Sequence, residues 1–170
     1  MVERGNALIQ ERINAMTKTR DLIEEFLEVK RFAMVGVSRN PREFSRRLFE
    51  EFLRRGFDVI PVNPYVNEID GVSCFKTIRD VRPHVTSALL MIPKAMTDKV
   101  LLECAESGVT LVWLYGISGP KDVSPNALEI CAAHGIKVIR GYCPFMFLPA
   151  TPFFHRMHGA AWKLFGKYPD

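Results

Sequence analysis

The chain is 170 residues long, which is enough for one domain with a substantial hydrophobic core. Hydrophobic residues make up 48% and charged residues 25% of the sequence, a balance that excludes intrinsic disorder and collagen-like repeats. Lysine and arginine total 23 against 19 aspartate and glutamate, and this net charge of +4 suits a small anionic ligand better than a nucleic acid.

Two kinds of hydrophobic pattern follow one another along the chain. Residues 3–29 have the spacing of helices, with a break near residues 17–20. Five short apolar runs rich in β-branched residues come next, and such runs are typical of strands buried on both faces. The predicted strands, numbered first to fifth, are Arg31 to Val37, Phe57 to Val62, Val85 to Ile92, Val109 to Tyr115 and Ile136 to Arg140.

Helical patterns follow the first, third and fourth of these strands. Their apolar stripes end at Gly56, Gly108 and Gly135, and glycine commonly terminates a helix because it adopts the left-handed conformation. Ser124 followed by Pro125 has the pattern of a helix N-cap with proline at the first helical position. The sequence therefore predicts three helices at these places.

The connection between the second and third strands, residues 63–84, is predicted to be irregular, with a turn at Asp70-Gly71 and one helical turn near residues 77–81. The alternation of strands and helices elsewhere predicts an α/β fold, a Rossmann-like doubly wound parallel sheet with the strand order 3-2-1-4-5. We expect the whole chain to form a single domain, whose core of about residues 30–148 lies between helical extensions.

A ligand in such a sheet lies beyond the carboxyl ends of the strands, and the loop after the first strand is the most informative one there. Gly36 permits a sharp turn, Ser38 supplies a hydroxyl, and the amides that lead into the next helix attract a phosphate. Arg39 and Arg42 add charge that can pair with phosphate oxygens. We therefore predict a phosphate-binding loop; the alternative is a simple turn whose arginines form a solvated face.

Two residues compete as the cap of the helix after this loop. Asn40 and Pro41 resemble a capping box with proline in the first turn, whereas Ser45 is suited to cap a helix that begins later. We prefer Ser45, because the earlier start would place Glu43 in a phosphate-binding first turn, where its charge opposes the anion.

The loop lacks the fingerprint of a dinucleotide site, which reads G-x-G-x-x-G and has an acidic residue at the end of the second strand. Gly36 is followed by no further glycine until Gly56, and the second strand ends in Pro61-Val62-Asn63-Pro64. Ordinary NAD binding is therefore disfavoured.

Five segments of the sequence form a recognisable combination: V-G-V-S-R-N-P at residues 35–41, G-F-D-V-I-P-V-N-P at residues 56–64, Asp70-Gly71, Pro93, and L-V-W-L at residues 111–114. In this combination the chain resembles the coenzyme A-binding domain family. These are stand-alone Rossmann-like proteins similar to the nucleotide-binding domain of the succinyl-coenzyme A synthetase alpha subunit. The resemblance covers about residues 30–148, and V-I-P-V-N-P is its most specific part.

The resemblance implies a bound coenzyme A or acyl-coenzyme A, with phosphates near the first loop and adenosine against the ends of the second and third strands. One departure is that the family often has W-x-Q-x-G after the fourth strand, where this chain has Trp113-Leu114-Tyr115-Gly116. The residues expected to bind the ligand, from the loop and from the resemblance together, are Gly36, Val37, Ser38, Arg39, Arg42, Ser45, Val62, Asn63, Pro64, Ile92, Pro93, Met96, Tyr115 and Gly116.

Candidates for catalysis are few. Cys143 follows the fifth strand, where the family commonly has a cysteine. It could be a reactive thiol near the pantetheine end of the ligand, or it could act as a small buried hydrophobic residue. We prefer the second interpretation. His155 and His158 are spaced to form a ligand pair, but we expect them to be half-buried on an amphipathic C-terminal helix and predict no metal site.

The aromatic-rich tail, residues 145–168, needs a surface to cover. We expect it to pack across its own domain; a homodimer contact through the helical extensions is the alternative. Membrane docking is disfavoured because few cations flank the apolar face.

We therefore predict a protein that binds coenzyme A or an acyl derivative without being a complete enzyme. One alternative is an NAD(P)-binding oxidoreductase or redox sensor, in which the loop arginines would hold the ribose phosphate of NADP. A second is a protein-interaction module with a vestigial crevice. A cytoplasmic location is expected, because the four cysteines are widely spaced, the start is polar, and apolar runs of about nine residues fall short of the roughly 20 that cross a bilayer.

Overall fold

The computed structural model describes residues 19–116 and 119–148, and they form a five-stranded parallel sheet with helices on both faces, as predicted. No helix in these two ranges has the length and apolar character that a bilayer crossing requires. The strands, in chain order, are β1 (Arg31–Val35), β2 (Asp58–Val62), β3 (Glu68–Ile69), β4 (Val72–Ser73), β5 (Ser87–Leu90), β6 (Leu111–Leu114) and β7 (Lys137–Arg140), of which β3 and β4 pair only with each other as a hairpin.

The helices lie where the hydrophobic stripes predicted them. The cap at Ser124 is confirmed, since its hydroxyl oxygen accepts a hydrogen bond from the Ala127 N–H at 3.1 Å. The helical pattern expected before the break near residues 17–20 and the tail from residue 149, with His155 and His158, lie outside the described residues. The helices are α1 (Thr19–Glu28), α2 (Phe44–Arg54), α3 (Lys94–Glu106) and α4 (Pro125–Ala133), with 3-10 turns at Ile78–Asp80, Pro120–Asp122 and Pro144–Met146.

The predicted strand order, 3-2-1-4-5, is wrong. The sheet runs β2-β1-β5-β6-β7, so the strand counted third from the sequence lies beside the first strand and not outside the second. The place outside β2 is taken by Phe75, which forms a single parallel bridge with Val62. Its N–H donates to the Pro61 carbonyl at 3.0 Å, and its carbonyl accepts from the Asn63 N–H at 2.9 Å. A third strand is thus reduced to one residue within the connection predicted to be irregular.

Pro61 explains why only a single residue pairs with the outer side of β2. The nitrogen and carbonyl of one residue in a strand point the same way, so Pro61, whose carbonyl faces Phe75, also turns its nitrogen outward. Because proline has no N–H, that edge of β2 lacks a donor. A proline in this run was the signal in the sequence that β2 lies at the sheet margin.

The core consists of two layers separated by the sheet. Alternate residues of β1 enter different layers: Phe32 and Met34 join the cluster with α1 and α2, while Ala33 and Val35 join the cluster with α3 and α4. All four are nearly or fully buried, and burial of a side chain the size of phenylalanine or methionine contributes about 1.5–3 kcal/mol. This packing makes the sheet a rigid support for the loops at its carboxyl edge.

Candidate functional site

The direction in which successive strands are added to the sheet reverses between β1 and β5, because β2 lies on one side of β1 and β5, β6 and β7 lie on the opposite side. Gly36 ends β1 at this point with φ +93°, and a Cβ there would lie 2.3 Å from the Met91 carbonyl oxygen and 2.9 Å from Ile92 Cγ2. Only glycine fits a turn this close to the end of β5.

The β1–α2 loop, residues 36–43, is held together by its own side chains. The Ser38 N–H donates to Ser45 Oγ at 3.1 Å, and the Asn40 N–H donates to Ser38 Oγ at the same distance. The Arg42 N–H donates to Asn40 Oδ1 at 3.0 Å. Side-chain oxygens therefore already accept from the loop amides, as the oxygens of a phosphate do in a phosphate-binding loop.

The helix after the loop begins late, as preferred, but its cap differs from the prediction. Phe44 is the first residue of α2, and Glu43 stands at the N-cap position, where its side chain accepts no capping hydrogen bond. Ser45 is not the cap, because it lies inside the helix and its hydroxyl reaches back to Ser38. Sequence reasoning missed this role, since a serine in a first helical turn is usually assigned to its own helix.

A cavity of about 580 Å³, here called the β5–β6 cavity, opens at the ends of these two strands. Lys94 directly follows Pro93 at the end of β5, where the sequence places the crevice, but it is not among the predicted ligand contacts. The polar lining residues outside the predicted set are Glu43, Lys94, Thr97, Lys121, Asp122 and Ser124. The predicted residues that do line it are Ser45, Ile92, Pro93, Tyr115 and Gly116.

A shallower cavity of about 560 Å³, here called the β2 opening, lies on the other side of the loop tip. It is lined by Ser38, Arg39 and Asn63, all three predicted, together with Asn40. The Asn63 side chain donates from Nδ2 to the Val37 carbonyl at 2.8 Å, and this bond joins the end of β2 to the β1–α2 loop.

Six other predicted residues line neither of these two cavities. Val37 and Val62 are buried in the core, and Gly36 shapes the turn beneath the loop. Arg42, Pro64 and Met96 are exposed at the same edge of the sheet. Their assignment as ligand contacts stays a prediction.

Two aromatic rings form one wall of the β5–β6 cavity. Phe44 stacks on Tyr115 with ring centroids 5.2 Å apart and planes inclined by 24°. Burial, with smaller contributions from Cys143 and Asp122, raises the pKa of Tyr115 to about 12. The phenol therefore stays protonated at neutral pH and retains its hydrogen-bond donor.

The thiol of Cys143 has the character of a buried group. Burial raises its pKa, against opposing backbone hydrogen bonds at Phe145 and Met146. The thiolate population at neutral pH is therefore smaller than for a free cysteine, which gives no support to the reactive alternative. Across the described ranges, no cluster of three or more histidine, cysteine or acidic side chains is placed to hold a metal ion.

Comparison with known proteins gives relatives of two sizes. The alpha subunit of ADP-forming acetate–CoA ligase II from Pyrococcus furiosus is 26% identical over 129 residues, which cover 72% of this chain and 28% of the relative. The uncharacterized protein YneT from Bacillus subtilis is 25% identical over 123 residues, covering 71% of this chain and 87% of YneT. This chain thus spans less than a third of the ligase subunit and most of the small relative.

Solved structures show the same fold. A hypothetical protein from Pyrococcus horikoshii OT3 superposes with a TM-score of 0.67 at 22% identity, covering 78% of this chain and 89% of that one. A sequence profile described as CoA binding domain matches residues 30–149, which is well over half of the chain. The chain therefore belongs to the CoA-binding domain family.

Proposed function

We propose that the chain binds coenzyme A, or an acyl-coenzyme A, across the carboxyl edge of its sheet. The observation that carries the proposal is that the β1–α2 loop borders both cavities, with Glu43 on the β5–β6 cavity and Ser38, Arg39 and Asn40 on the β2 opening. A ligand with phosphates in its middle and an organic group at each end can occupy both. Coenzyme A has this shape, with a phosphorylated adenosine at one end and a pantetheine thiol at the other.

The chemistry of the two cavities suggests which end lies where. The β2 opening is lined by hydroxyl, amide and guanidinium groups and no carboxylate, which suits the ribose phosphate. The β5–β6 cavity has apolar walls from Leu90, Ile92 and the Phe44–Tyr115 pair, which suit the pantetheine arm. The family relationship and the acetate–CoA ligases among the relatives support the same ligand. They lend no support to NADP.

Binding without turnover is the role that the described residues favour. The one thiol considered for chemistry, Cys143, has a raised pKa. We therefore propose binding, and not thiol chemistry, as the role of this site.

Isothermal titration of ligand-free protein with coenzyme A, dephospho-coenzyme A and NADP tests the proposal. Coenzyme A should bind, dephospho-coenzyme A should bind more weakly, and NADP should give no heat of binding. Arg39→Ala should weaken coenzyme A binding about tenfold, because one charge-assisted contact is lost. The difference in affinity between coenzyme A and dephospho-coenzyme A should therefore be smaller in this variant than in the parent protein.

Arg47→Ala is the matched control, because Arg47 carries the same charge and is exposed on α2, outside both cavities. Its affinity for coenzyme A should equal that of the parent protein. Absence of binding by any coenzyme A derivative would refute the proposal and favour the interaction module.

A further inference from the structure

Arg46 differs from the other arginines near the candidate site. It is the third residue of α2, and only 10% of its side chain is exposed, whereas Arg39, Arg42 and Arg47 are all exposed. A buried guanidinium requires charged or polar partners to offset its desolvation. Its partners therefore show what the side chain does.

The guanidinium of Arg46 contacts three parts of the protein. Nε donates to Asp70 Oδ2 at 2.9 Å, and Nη2 donates to Asp70 Oδ1. Nε also lies 3.0 Å from Glu50 Oε1 on the next turn of α2. Nη1 donates to the Arg39 carbonyl oxygen at 3.4 Å. One side chain thus links α2, the β3–β4 turn and the β1–α2 loop.

The β3–β4 turn provides a carboxylate that the turn itself does not require. Asp70 and Gly71 are its two central residues, with φ of +52° and +75°, and this pair of positive angles is typical of a type I′ hairpin. Asn-Gly forms such turns at least as readily as Asp-Gly. The charge at position 70 is therefore explained by the ion pair with Arg46 and not by the backbone conformation.

The charge of Arg46 is also already neutralised. Asp70 and Glu50 both face its guanidinium, so little positive charge is left for a phosphate. The remaining bond runs to the backbone of Arg39, whose side chain lines the β2 opening. Arg46 is thus placed to orient the loop and not to contact a ligand.

We infer that Arg46 and Asp70 form a positioning pair, which holds the Arg39 backbone so that the Arg39 side chain and Ser38 are presented at the β2 opening. This inference rests on the proposed function for its ligand. It assigns a role in binding to the Asp70 turn, which lies outside both cavities.

A double-mutant cycle on coenzyme A affinity tests the pair, with Arg46→Gln, Asp70→Asn and the double variant. Asp70→Asn keeps a residue that accepts positive φ, so the turn is retained while the charge is removed. Each single variant should bind coenzyme A about tenfold more weakly, and the double variant no more weakly than the worse single one, because both remove the same link. Arg47→Gln is the control and should leave the affinity unchanged.

Two results of the cycle would overturn the inference. If Arg46 contacted phosphate directly, release from Asp70 would make it a better ligand, and Asp70→Asn would bind coenzyme A more tightly than the parent protein. Additive losses in the double variant would show that the two residues act separately.

Limited trypsin cleavage after Arg39, in the absence of ligand, is a readout that does not depend on coenzyme A. Cleavage should be several-fold faster in Arg46→Gln and in Asp70→Asn than in Arg47→Gln, at urea concentrations where all are folded. Equal rates would overturn the inference even if affinity fell. If the parent protein bound no coenzyme A, the proposed function would fail while the cleavage rates still decided the role of the pair.

Discussion

Substitution of Gly36 by alanine tests how the end of β1 meets β5. Alanine at φ +93° incurs a backbone strain of about 1–2 kcal/mol, partly offset by about 0.4–1 kcal/mol from the lower entropy of the unfolded chain. The new Cβ would also lie 2.3 Å from the Met91 carbonyl oxygen, a backbone atom of the segment that pairs with β1. Relief of this contact requires β1 and β5 to separate, and overpacking of this kind costs about 1–3 kcal/mol.

The expected total for Gly36→Ala is therefore a loss of about 2–4 kcal/mol in the free energy of unfolding. For a domain of this size the midpoint of thermal unfolding should fall by roughly 5–15 °C. Urea unfolding, followed by the far-ultraviolet circular dichroism signal of the helices, measures this loss directly.

Gly56→Ala is the matched control, because Gly56 has a similar φ of +78° and no atom beyond its chain neighbours lies within 4 Å of the place where the alanine methyl group would stand. It should lose only the strain, about 1 kcal/mol after the unfolded-state offset. Losses that agree within about 0.5 kcal/mol would refute the close approach to Met91 as the cause.

Two further predictions concern titratable groups. Hydrogen bonds from Arg54 and then Arg55 lower the pKa of Glu51 from 4.5 to about 2, so its contribution to stability is complete above the unfolded-state pKa and is lost as the pH falls from about 4.5 towards 2. Glu51→Gln should therefore lower the free energy of unfolding by about 1 kcal/mol at pH 7, a figure reduced for solvent screening. Urea titrations should show a progressively smaller loss below pH 4.5, and a loss independent of pH would contradict this explanation. Because burial raises the pKa of Cys143, iodoacetamide should alkylate this thiol more slowly at pH 7 than it alkylates free cysteine, as measured by mass spectrometry. The Cys143→Ser variant should bind coenzyme A with unchanged affinity. Rapid alkylation at pH 7 would instead support a reactive thiol at this position.

Local patterns in the sequence were enough to locate the elements of the fold. Five apolar runs became the five strands of the sheet, because a strand covered on both faces needs apolar residues at successive positions. Ser124 was identified as a cap from its position before Pro125, since the bond it makes spans only three residues. The edge of the sheet where a ligand is expected also followed, because parallel strands end at the same edge.

The sequence by itself thus determined the fold class, the family resemblance and the loop after β1. The tertiary structure decided the strand order, since the single bridge of Phe75 outside β2 is a pairing that no local pattern encodes. It also decided that Arg46 is buried against Asp70, which lies 24 residues away in the sequence. The neighbouring Arg47 is the same type of residue but is exposed. Periodicity reports which face of an element is buried, whereas the partner that a polar group meets depends on segments distant in sequence.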